Sequence, residues 1–192
     1  MKFNLFICIS LLSMSAYSQG INPNQSGVYV TSNDYLNNIL TYSIDCSTES
    51  HKIKLHDFIK SSHIDVIHNK IKYTLQKKEI YAFKDCENGV YRFFNNEEYK
   101  ILEPKAIYIY SIEKNIPSGK NIKTITEYYF SKDSNGDLIK LSLINLKKAF
   151  PENHKFHDLL DAYFKDETDI TMYDSFHKMH KINHLYQQSL IN

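Results

Sequence analysis

The chain has 192 residues, with 23 Lys+Arg against 22 Asp+Glu, a formal net charge of +1, 15 tyrosines, 11 phenylalanines and no tryptophan. A balance this close to neutral argues against general nucleic-acid binding, which relies on clustered positive charge, and gives no reason to expect a strongly anionic partner. Aromatic richness with only five glycines and four prolines describes an ordered chain rather than a disordered one.

Residues 1–18 read as a signal peptide. Lys2 gives a positive start, and Phe3 to Leu12 form an apolar run of about ten residues, too short for a bilayer span, which takes about 20. Ala16 and Ser18 are small and two apart, which places cleavage before Gln19. Cys8 lies inside the run without the Leu-small-small context of a lipoprotein cysteine. No later apolar run approaches 18 residues, so no membrane span is expected after cleavage, and the chain is expected to be periplasmic or secreted. About 174 residues then remain, enough to bury a core. Two cysteines survive, Cys46 and Cys86, and an exported chain permits them to pair.

Residues 19–141 read as β-rich. "GVYVT" (27–31) and "HKIKL" (51–55) alternate polar and apolar residues. "IDVIHNKIKYTL" (64–75) forms a hairpin turning at Asn69-Lys70, and "IYAFKDCENGVYRFF" (80–94) one turning at Asn88-Gly89. "NNEE" (95–98) turns into "YKILE" (99–103), which Pro104 ends. The continuous apolar character of "AIYIYSI" (106–112) predicts a central strand buried on both faces. "IPSGKN" (116–121) reads as a loop, and 122–142 as a hairpin with Ser134-Asn135-Gly136 at its tip.

Residues 142–192 read as helical and are expected to pack with the β-region as one domain. Ser142 caps a helix over 143–150 that Pro151 ends, Asn153 caps 154–164, and Asp169 caps a long helix over 170–190. The expected fold is therefore α+β: an antiparallel meander of about eight to ten strands followed by about three helices.

At about 100° per residue, His177, His180 and His184 share an arc of roughly 60° on the last of these helices, away from Phe176, Met179, Ile182, Tyr186 and Leu190. His154 falls on the polar side of the preceding helix and His157 at its edge. Histidines three apart can supply two metal ligands, but a zinc site needs about four that converge. The phase turns both polar faces to solvent, so no metal and no cofactor is expected, and the three histidines of "HKMHKINH" should titrate near the ordinary imidazole value of about 6.5.

The sequence contains no H-E-x-x-H, G-x-S-x-G, G-x-x-x-x-G-K-[ST] or G-x-G-x-x-G. "DSNGD" (133–137) lacks the remaining features of a calcium loop and reads as a polar hairpin tip. No catalytic residue is expected. Tyr81, Tyr91, Tyr99, Tyr108, Tyr110, Tyr128 and Tyr129 fall on expected strands, where they build the core and could in part line a concave face for a peptide or a glycan.

The blocks "GVYVTSNDYLNNILTY", "IYAFKDCENGVYRFF" and "NLKKAFPENHKFHDLLDAYF", with the leader ending "SAYSQ", resemble small exported proteins of Bacteroidetes-type bacteria, a family with no known activity. The resemblance implies a cell-envelope or secreted setting and supplies no site residues. The leading expectation is a non-enzymatic, exported module that binds or scaffolds a peptide, a glycan or an envelope protein. The alternative is a metal-dependent hydrolase built on His154, His157, His177, His180 and His184.

Overall fold

The computed structural model describes residues 24–48, 52–56, 61–119 and 121–191. The expected signal peptide and its cleavage site lie outside the described residues. The fold is α+β with antiparallel sheets, as the sequence predicts. In chain order the elements are β1 (Gln25–Tyr29), α1 (Ser32–Leu36), β2 (Thr41–Asp45), β3 (Ile53–Lys54), β4 (His63–His68), β5 (Ile71–Gln76), β6 (Ala82–Lys84), β7 (Val90–Phe94), β8 (Glu97–Pro104), β9 (Tyr108–Ser118), β10 (Asn121–Ser131) and β11 (Ile139–Lys140). There follow α2 (Leu143–Ala149), α3 (His154–Tyr163), β12 (Tyr173–Asp174), β13 (Met179–His180) and α4 (Lys181–Ser189).

The main sheet has eight strands in the order β11-β10-β9-β8-β7-β6-β1-β2. From β6 to β11 it is a meander in which each strand pairs with the next, as short turns require. Asn95 and Asn96 both adopt positive φ and join β7 tightly to β8. Asn69 and Lys70 do the same between β4 and β5, so that turn stands where the sequence places it. The expected loop over 116–121 is instead strand: β9 runs to Ser118 and β10 starts at Asn121, with Gly119 at φ 62 in the turn between them. A glycine in the left-handed region lets the ribbon reverse in two residues.

Cross-strand partners share a face, so the register divides the sheet's residues into two sets. One face carries Val28, Phe83 and Phe93, against which the small sheet β3-β4-β5 packs with Ile53, Ile64 and Val66. Further along the same face, Phe130 and Ile107 meet Leu146 of α2, Phe156 and Leu160 of α3, and Ile182 and Leu185 of α4. The opposite face carries Tyr29, Ala82, Arg92, Tyr99 and Tyr110. The start of β9 is therefore enclosed on both sides, with Tyr108, Ile109 and Tyr110 all buried, as its apolar run predicts.

A bulge in β8 changes the phase. Ile101 opposes Tyr110 and Glu103 opposes Ile109, so Leu102 is an extra residue. The extra residue sends Ile101 to the tyrosine face and Glu103 to the helix face, where Glu103 is 4% exposed.

Two expected helices form as read. Ser142 accepts from the Asn145 N–H to cap α2, and Asn153 accepts from the Phe156 N–H to cap α3. The long helix over 170–190 does not form. A 3-10 turn at Glu167–Asp169 and the hairpin β12–β13 precede a shorter α4. Asp174 takes the N–H groups of Phe176 and His177 into its own turn, and Lys178 sits at φ 52, a conformation incompatible with a continuous helix. Besides the β12–β13 hairpin, two elements escape the sequence reading: α1, capped by Thr31 and Asp34 in a reciprocal box, and β2. Cys46, just past β2, and Cys86, just past β6, form a disulfide with Cα atoms 5.6 Å apart.

Candidate functional site

The tyrosine face carries two open concavities of about 400 Å³ each. Tyr29, Tyr35, Leu36, Asn38, Lys84 and Val90 help line the first. Thr31, Ser32, Tyr81, Arg92 and Asn135 help line the second. The Tyr35 and Tyr81 rings, one from each lining, lie 5.6 Å apart, and Tyr35 meets Tyr29 edge-on at 5.5 Å. Burial, reinforced by neighbouring phenols, pushes the Tyr35 and Tyr81 hydroxyls well above the ordinary tyrosine value, so both stay protonated.

Arg92 lies against the Tyr81 ring, 5% exposed. Its Nη1 donates to the Tyr110 hydroxyl at 3.1 Å and its Nη2 to the Asn135 carbonyl at 3.3 Å. The Tyr81, Phe94 and Tyr110 rings surround the guanidinium at 5.3 to 5.8 Å. Among the described residues no carboxylate pairs with it, and its Nε, like the Tyr81 hydroxyl, has no hydrogen-bond partner. Lys84 is a second buried cation on this face; burial lowers its ammonium pKa, with Asp85 pulling the other way.

The five candidate histidines do not form one site. His154 is exposed on α3, with the His157 ring 5.9 Å away, and His157 is tied through Nε2 to the Phe150 carbonyl at 2.9 Å. His180, expected on a solvent face, is buried at the start of α4. Its N–H donates to Glu103 Oε2 at 2.8 Å, and its Nδ1 lies 3.0 Å from the same oxygen. Asn183 donates to Glu103 Oε1 and to the Ile107 carbonyl, and accepts from the Ile107 N–H. Glu103 thus clamps α4 to the bulged strand.

His177 and His184 do meet, with ring centroids 3.6 Å apart and planes at 26°. Asp174 Oδ2 lies 2.8 Å from His177 Nδ1, and one ligand atom from each of Asp174, His177 and His184 lies within 4.8 Å of the others. A second such group joins His63 and Asp65 of β4 to His56. The expectation that all three histidines of "HKMHKINH" share one exposed environment is corrected. Burial first, then His177 and Lys181, lowers the His184 pKa below the imidazole value.

The tyrosines named from the sequence divide. Tyr81, Tyr99, Tyr108 and Tyr110 are buried, while Tyr91, Tyr128 and Tyr129 are partly so. Tyr29, Tyr35 and Arg92 line the concavities without having been singled out; an arginine within the aromatic run "VYRFF" is the signal that marks the last of them. No helix among the described residues is long and apolar enough to cross a membrane. Compared with protein-family models, curated proteins and solved structures, the chain matches none.

Proposed function

We propose that this chain is an exported, non-enzymatic binding module whose tyrosine face takes a carboxylate-bearing ligand, from an acidic peptide or an acidic glycan. The observation that carries the reading is Arg92, a buried guanidinium without a carboxylate partner that lines a concavity together with Tyr81, Lys78 and Glu79. A buried charge is costly unless paired, and the planar guanidinium fork matches a carboxylate. Arg92 and Asn135 both line the concavity, so their long 3.3 Å contact is the one a carboxylate would displace. The rings of Tyr35 and Tyr81 supply rigid amphipathic surface beside it. The leader-like residues 1–18 and the Cys46–Cys86 bridge support the exported setting. The alternative, a metal-dependent hydrolase, has less support because, of its five histidines, His177 and His184 alone bring ligand atoms together in a group of three among the described residues.

Calorimetric titration of the disulfide-intact chain with short acidic and neutral peptides, and with uronate and neutral oligosaccharides, tests this reading. One acidic series should bind, its neutral counterpart should not, and Arg92→Met should weaken binding at least tenfold. Equal binding of acidic and neutral ligands, or an undiminished Arg92→Met, would overturn it.

A further inference from the structure

We propose that Asp174, His177 and His184 form a divalent transition-metal site, coordinating an ion of the zinc type through two imidazole nitrogens and one carboxylate oxygen. Such a donor set suits zinc, nickel or copper better than magnesium or calcium, which prefer oxygen alone. Three protein ligands leave a position for water or for a group from a second molecule.

The ligands come from two elements held in fixed relation. Asp174 ends β12, His177 lies in the turn, and His184 is one turn into α4. The Lys181 N–H donates to the Met172 carbonyl at 2.8 Å, and His180 is tied to Glu103, so hairpin and helix start are both anchored. Asp174 Oδ1 accepts from Phe176 and His177 N–H, which orients the carboxylate and leaves Oδ2 facing the imidazoles. Tetrahedral zinc, with bonds of about 2.0–2.1 Å, needs donors about 3.3 Å apart. Atoms already within 4.8 Å reach that spacing by side-chain adjustment in a half-exposed site.

The two imidazole rings stack with their centroids 3.6 Å apart, so both approach the same Asp174 carboxylate. Lys181 Nζ is the competing cation, 3.5 Å from Asp174 Oδ2. It also lies 4.6 Å from the Tyr163 ring centroid, where it can remain when a metal takes the carboxylate. The group at His56, His63 and Asp65 is a poorer candidate. Asp65 Oδ2 already meets His56 Nε2 and Lys72 Nζ, and Oδ1 accepts from the Thr74 hydroxyl.

The test is calorimetric titration of untagged, chelator-treated, disulfide-intact protein with zinc sulfate. One zinc should bind per chain. His177→Ala and His184→Ala should each weaken binding about 100-fold, while His63→Ala and His154→Ala leave it unchanged. His177 is exposed, and melting curves recorded without zinc separate a loss of ligand from a loss of fold. Absence of saturable zinc binding, its persistence in the His177→Ala/His184→Ala variant, or its loss in His63→Ala instead would overturn the assignment.

Discussion

Replacing Glu103 by alanine should be among the most destabilising single substitutions in this chain. The carboxylate is 4% exposed and accepts from the His180 N–H and from Asn183 Nδ2, with His180 Nδ1 at 3.0 Å. Alanine leaves these groups in a space closed to water. Each orphaned buried donor costs about 1–3 kcal/mol. We expect a loss of about 4 kcal/mol, because Asn183 keeps its two bonds to Ile107 and recovers part of the deficit. For a chain of this size that corresponds to a fall in melting temperature of about 8–16 °C. Equilibrium urea unfolding, followed by circular dichroism with the disulfide intact, measures it. The midpoint should drop with little change in slope, since the folded surface is preserved. Glu113→Ala, on the exposed part of β9, should stay within about 0.5 kcal/mol. A cost below about 1 kcal/mol for Glu103→Ala would refute the claim that this residue clamps α4 to the sheet. Combining Glu103→Ala with Asn183→Ala should cost measurably less than the sum of the two singles.

Two further outcomes can be checked on the same apparatus. The Cys46–Cys86 bridge spans a sequence separation of 40, and its loss in Cys46→Ser/Cys86→Ser should cost about 4 kcal/mol by loop-closure entropy; an unchanged urea midpoint would contradict that. Lys140 and then Lys114 lower the Glu127 pKa from 4.5 to about 2, so its contribution is fully present above pH 4.5 and fades as pH falls toward 2. Glu127→Gln should therefore be about 1 kcal/mol less stable than the parent at pH 7, a gap that closes by about pH 2 and shrinks with salt; a gap constant across that range would rule out the ion pairs as its source.

The parts of this fold that were legible in the sequence are those decided within a few residues. Ser142 and Asn153 cap their helices because a short polar side chain meets N–H groups three positions on, whatever else the chain does. The hairpin at Asn69-Lys70 and the doubly buried start of β9 are similarly local. Helix α1 escaped although its Thr31–Asp34 box is local, but most of what was missed depends on partners far away in the chain. The spacing of "YDSFHKMHKINHLY" suits a helix, yet Asp174 caps an internal turn, and Glu103, 77 positions before His180, captures the helix start. On one continuous helix His177 and His184 would stand two turns, about 10.5 Å, apart. The turn brings them to 3.6 Å, a proximity that helical phase could not reveal. The bulge at Leu102 was equally invisible, because alternation in "YKILE" gives no sign that the inward position shifts by one. Arg92 was overlooked because total charge counts a buried guanidinium and an exposed one alike.

The strand order also sets a schedule for assembly. From β6 onward every strand finds its partner in the stretch just before it, so these hairpins close small loops and can zip in sequence. β1 and β2 likewise pair with each other, but β1 can join the rest only through Gly27, Val28 and Tyr29 against Lys84, Phe83 and Ala82. That seam is three residue pairs long, and more than 50 residues, including all of β3, β4 and β5, must be synthesised before its second side exists. A chain emerging from its N-terminus would thus hold the inner edge of β1 open, a template for mispairing with another copy, until β6 arrives. Cys46 and Cys86 lie just beyond the outer strand on one side of the seam and the first strand on the other, so their oxidation records that the two halves have docked and then locks them. The bridge acts on the order of events as well as on the final balance of energies: formed late it seals a finished sheet, and withheld it leaves a joint of three residue pairs as the place where the halves part first.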